Sequence, residues 1–154
     1  MSATTPNPGQ SRVVNNGVIS LPDFEKLCNA ETEAYVVEGL IPVASVNIVA
    51  GDSGLGKSPW AYQLGLCVAS GIPVLGYSVK QGCVLYVDLE NGSAGILGLC
   101  KSLAKHLGIS ELPGDFYLLR DASTKLGSWI CRYRPVLVIV DSLRSCYPQA
   151  ETKN

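Results

Sequence analysis

The run Gly51-Asp52-Ser53-Gly54-Leu55-Gly56-Lys57-Ser58 constrains this chain more than any other feature. It fits the pattern G-x-x-x-x-G-K-[ST], in which glycines let the backbone curl until successive N–H groups face one anion. Average residue usage would produce such a string in well under ~1% of chains of this length. Its flanks agree with it. Ser45–Ala50 (S-V-N-I-V-A) before it reads as a strand, and Lys57–Ser70 after it reads as a helix with no charge beyond Lys57, closed by Gly71. A strand, a glycine turn and a helix N-terminus in that order is the geometry a phosphate site requires.

The rest of the chain repeats the alternation. Cys83–Leu89 (C-V-L-Y-V-D-L), Phe116–Leu119 and Val136–Val140 (V-L-V-I-V) read as strands. Ala94–Leu107 has helical spacing, with Ile96, Leu97, Leu99, Cys100, Leu103, Ala104 and Leu107 inward, Lys101 and Lys105 outward, and Gly108 as the stop. A weaker helix over Lys125–Tyr133 is ended by Pro135. Near the start, Ser20 and Asp23 form a capping box for a short helix carrying Leu21, Phe24, Leu27 and Cys28 on one face. Residues 1–19, with Pro6, Pro8, Gly9, Asn15, Asn16 and Gly17, read as a flexible leader, and 20–154 as one domain. Continuous apolar strands alternating with helices predict an α/β fold with a mostly parallel sheet covered on both faces.

Within the loop Gly51, Asp52, Ser53, Gly54, Leu55 and Gly56 offer backbone amides to phosphate. Lys57 would reach the β- and γ-phosphates and Ser58 would coordinate Mg²⁺. Pro59 has no N–H where another amide could meet the α-phosphate, so one phosphate contact fewer is expected. Asp141 follows V-L-V-I-V directly and stands on the carboxyl edge of a buried strand, where it could hold Mg²⁺ beside Ser58. Glu90 ends a second such strand and could orient an attacking water as general base, with Asp88 two residues earlier as the competing choice.

The runs L-I-P-V-A-S-V-N-I-V-A-G-D-S-G-L-G-K-S, V-L-Y-V-D-L-E-N and V-L-V-I-V-D-S-L-R, in that order, resemble RecA-like AAA-type ATPases of the RepA helicase kind. The resemblance covers roughly residues 38–154. It implies a three-layer RecA-like fold, ATP as the nucleotide, Glu90 as catalytic glutamate and Asp141–Arg144 as the Walker B strand end and the turn beyond. It also implies a homo-oligomeric assembly and work on DNA, single-stranded DNA included, in replication or recombination. The family continues with further strands, a polar sensor residue, a DNA-contacting loop and an arginine finger. Only 13 residues follow Asp141, and none of these features can be placed in them, so the expectation is a fold incomplete at its C-terminus. The apolar strand over 136–140 would then be an open sheet edge prone to association.

Composition narrows the alternatives. A net charge of −1 gives no basic field for nucleic acid, and no run approaches the ~18 apolar residues that span a bilayer. The polar start lacks the apolar core of a secretory signal, which sets the expectation of a cytoplasmic protein with no membrane partner. The six cysteines never approach metal-ligand spacing and sit mostly in apolar runs, as small hydrophobes. Trp60 and Tyr62 read as packing residues, while Arg120, Lys125, Arg132 and Arg134 read as a solvated basic face, and His106 as a surface residue. The leading expectation is Mg-dependent ATP hydrolysis, with a nucleotide-binding module without turnover as the alternative. A small P-loop metabolite kinase ranks last, since its basic lid would have to come from Arg144 and Lys153.

Overall fold

The computed structural model describes residues 20–30, 34–121 and 125–142. The expected leader, Arg144, Cys146 and the side chains of Leu27 and Cys28 lie outside that description. Helix α1 (Leu21–Ala30) belongs to one compact unit (Met1–Glu33) and everything that follows to a second (Ala34–Asn154). In the first, the amide of Asp23 donates to the Ser20 hydroxyl at 3.3 Å while that hydroxyl donates to the Asp23 carboxylate at 2.6 Å, so the expected cap forms.

The second unit opens with a hairpin, β1 (Tyr35–Val37) antiparallel to β2 (Ile41–Pro42), which packs Val36, Val37 and Ile41 into the core. Helix α2 (Lys57–Ser70) follows, then β3 (Val84–Asp88), α3 (Ser93–Leu107), β4 (Phe116–Leu119), α4 (Leu126–Tyr133) and β5 (Leu137–Asp141). The last three strands form one parallel sheet in the order β4-β3-β5, with Val84 opposite both Phe116 and Leu137. This is an α/β architecture with a parallel sheet, as the alternation of the sequence predicts.

The pleat divides the core. Val84 and Tyr86 face α2 and α3, packing with Leu64, Cys67, Val68, Tyr62, Ile96 and Cys100. Leu85 and Val87 face the other way, against Leu126 and Trp129 of α4. Helices therefore cover both faces, and β3, between two neighbours, is buried along its whole length. Each large apolar side chain removed from water there contributes roughly 1.5–3 kcal/mol. Helix α2 lies so close to the sheet that a Cβ on Gly65 would come within 2.6 Å of the Phe116 ring, which is why a glycine stands mid-helix. Both long helices end where the sequence places the stops. Gly71 and Gly108 are left-handed (φ +71° and +72°), with the next amides, of Ile72 and Ile109, returning to Cys67 and Ala104. Leu97, expected inward on α3, is instead nearly half exposed, because α3 buries only the narrower stripe of Ile96, Cys100 and Ala104.

The expected strand over Ser45–Ala50 does not form. The segment is irregular, with Val46 92% and Ile48 84% exposed. An apolar run is a sufficient signal for burial only where a neighbouring strand supplies its hydrogen bonds. Among the described residues β5 ends the sheet and nothing pairs with 45–50.

Candidate functional site

The glycine-rich turn enters α2 through two left-handed residues, Gly54 (φ +82°) and Gly56 (φ +84°), a conformation that side-chain-bearing residues rarely adopt. No side chain caps α2, so its first amides stay open at the end where the helix dipole favours an anion. Pro59 falls in this first turn, and the earliest helical bond is the Trp60 amide to the Gly56 carbonyl at 3.0 Å. The ammonium of Lys57 folds back over the turn and donates to the carbonyls of Gly51 at 2.7 Å and Asp52 at 2.6 Å. Asp52, Ser53 and Leu55 are exposed around it, and Ser58 is half-buried at the helix start.

The carboxylates gather on the carboxyl edge of the sheet. Asp88 and Asp141 are register partners at the ends of β3 and β5. The hydroxyl of Tyr86 donates to Oδ2 of Asp141 at 2.9 Å, and that of Ser142 to Oε1 of Glu90 at 2.9 Å. Glu90, exposed beyond the end of β3, is thereby joined to the residue that follows Asp141. Tyr62, one turn beyond Ser58 on α2, donates its hydroxyl to Oδ2 of Asp88 at 2.7 Å. The start of α2, Glu90 and Asp141 thus share one edge of the sheet, where ligands of parallel α/β folds bind.

Asp88 differs from the exposed Glu90 in its burial. It is fully buried, and both its oxygens are occupied. Oδ1 accepts the amides of Glu90 (3.1 Å) and Asn91 (2.9 Å), while Oδ2 accepts the Asn91 side chain (2.9 Å) and Tyr62. Burial alone would raise its carboxyl. The Asn91, Tyr62 and Glu90 donors outweigh that and hold it below the usual carboxylate range. Burial, then the bond to Asp88, pushes the Tyr62 phenol up, and Tyr86 rises by burial and its bond to Asp141.

Arg120 is exposed, as expected for a solvated basic face, but it also engages the end of β3. From the end of β4 its guanidinium donates to the Asn91 carbonyl and lies 3.4 Å from Oδ1 of Asp88. The signal was present, since F-Y-L-L-R is an apolar strand ending in a charge, like the strands ending at Asp141 and Glu90. Arg132 is exposed as well, over the rings of Trp129 and Tyr133. Tyr62 packs as expected, stacked on Tyr86 with ring centroids 4.0 Å apart. Cys67 and Cys100 are free thiols buried in the core, their pKa raised by burial. No cluster of three or more His, Cys, Asp or Glu residues forms a metal cage among the described residues. No helix among them is long and apolar enough to cross a membrane.

A family model described as an AAA domain matches residues 21–154, most of the chain. The curated proteins and the solved structures give no match.

Proposed function

The chain belongs to the AAA-domain family of P-loop ATPases, and on that premise we propose that it binds MgATP at Gly51–Ser58 and hydrolyses it as a RecA-like enzyme of the RepA helicase kind. The observation that carries this reading is the Lys57 ammonium held over the glycine turn at an uncapped helix N-terminus, on the edge that also bears Glu90 and Asp141. Lys57 and the loop amides hold the phosphates, with the open end of α2 adding its dipole. Asp141, oriented by the Tyr86 hydroxyl, and Ser58 supply a carboxylate and a hydroxyl, oxygen donors of the kind Mg²⁺ takes. When bound, the ion would neutralise charge on the phosphate oxygens. Glu90 acts as general base toward the attacking water, because its carboxylate is exposed while both oxygens of Asp88 are occupied. Single-stranded DNA and further copies of the chain are its proposed partners, in DNA replication or recombination.

A second reading, nucleotide binding without turnover, is favoured by one observation. The segment 45–50 leading into the loop has no place in the sheet, so the loop is anchored through α2. MgATP hydrolysis by wild type, Lys57→Ala and Glu90→Gln, with and without single-stranded DNA, separates the two. Turnover lost in both variants supports hydrolysis, Glu90→Gln falling by at least about 100-fold. Stimulation by DNA supports the helicase-like role. No turnover, with nucleotide binding abolished only by Lys57→Ala, selects the second reading.

A further inference from the structure

We propose that Asp88 is the positioning residue for Glu90, fixing the turn that carries it against the helix that carries the phosphate loop. The inference rests on the reading of Glu90 as general base. Asp88 accepts the backbone amide of Glu90 itself at 3.1 Å and that of Asn91 at 2.9 Å, so one buried carboxylate sets the direction in which the chain leaves β3. The Asn91 side chain returns to the same carboxylate at 2.9 Å, closing the turn from its far side. Arg120 completes the clamp, bonding the Asn91 carbonyl and approaching Oδ1 of Asp88 from the end of β4.

The remaining contact gives the clamp its reference point. Tyr62 reaches Oδ2 of Asp88 from α2, whose first residues are Lys57 and Ser58. Beside the Ser142 bond to its side chain, Glu90 is therefore located relative to the phosphate loop through the Asp88 carboxylate, both of whose oxygens are already occupied by protein donors. Misplacing a catalytic group by about 1 Å can cost on the order of 100-fold in rate, whereas ground-state binding by the loop does not depend on where Glu90 points.

The test is steady-state hydrolysis of MgATP by the full chain carrying Asp88→Asn, Arg120→Ala or Arg120→Lys, beside Glu90→Gln, with affinity for a fluorescent ATP analogue measured in parallel. The expected result is a kcat at least about tenfold lower in Asp88→Asn and Arg120→Ala, with KM and analogue affinity within about twofold of wild type. Arg120→Lys, which keeps a donor toward Asp88, restores part of kcat. If Asp88→Asn does not fold, the Arg120 pair decides alone. Turnover lost in Glu90→Gln but kept in Asp88→Asn and Arg120→Ala overturns the clamp and leaves Glu90 in place. A parallel loss of analogue binding overturns it too, since the residues would then hold the whole site together and not Glu90 in particular. Turnover absent from wild type, or indifferent to Glu90→Gln, overturns the reading on which the clamp rests.

Discussion

Replacing Tyr62 by phenylalanine removes one oxygen from a pair of side chains that water does not reach, Tyr62 at 1% and Asp88 at 0% exposure. The hydroxyl lies 2.7 Å from the carboxylate. A hydrogen bond to a charged acceptor is worth about 1.5–3 kcal/mol, and no solvent can take the place of this one. Three donations from Glu90 and Asn91 and the nearby Arg120 guanidinium remain on Asp88, so the charge is not orphaned and the loss stays below the 3–5 kcal/mol or so of a broken buried ion pair. The ring stack on Tyr86 is retained. The expected loss is about 2 kcal/mol, which lowers the urea midpoint by roughly 1 M for a slope of about 1–3 kcal/mol per molar. Acid reveals the origin of that loss. The folded-state pKa of Asp88 is depressed, so its contribution is complete above the ordinary value of 3.8 and disappears as pH falls through the folded value. Removing a donor moves the folded pKa back toward 3.8. The difference between Tyr62→Phe and wild type is therefore constant from neutral pH to about 4 and narrows below it. Equal midpoints at neutral pH would refute the bond's contribution, and a difference unchanged to pH 2 would assign the loss to packing.

Pro59→Thr adds an amide in the first turn of α2, and calorimetric titration with MgATP is expected to show up to about tenfold tighter binding, or about 1.4 kcal/mol; unchanged affinity would mean that this position does not face phosphate. The exposed Val46 and Ile48, together with β5 as an edge strand among the described residues, are expected to drive concentration-dependent self-association, visible by light scattering and reduced by Val46→Lys with Ile48→Lys. A wild-type chain that stays monomeric at high concentration would contradict this.

Much of the fold was legible because its signals are local. The helix stops at Gly71 and Gly108, the Ser20–Asp23 cap and the apolar strands around Val84, Phe116 and Leu137 all depend on residues adjacent in sequence. Two elements escaped for opposite reasons. The hairpin of Tyr35–Val37 with Ile41–Pro42 is too short for any period to show, whereas Ser45–Ala50 displays a convincing strand pattern without a partner to realise it. The site divides the same way. The loop, Glu90 and Asp141 announce themselves by position after a strand or before a helix. The set of Tyr62, Asp88, Asn91 and Arg120 exists only once α2, β3 and β4 are packed, since the separations are 26 residues from Tyr62 to Asp88 and 29 from Asn91 to Arg120.

The ammonium of Lys57, bound to the carbonyls of Gly51 and Asp52, means that the loop holds a placeholder of its own. Under the proposed function, nucleotide arrival at this loop is an exchange and not an addition. Two neutral acceptors are traded for an anionic one by a side chain whose rotamer freedom, about 2 kcal/mol for a free lysine, has already been given up. The carbonyls it releases return to solvent, and the turn can keep its curvature between one occupant and the next.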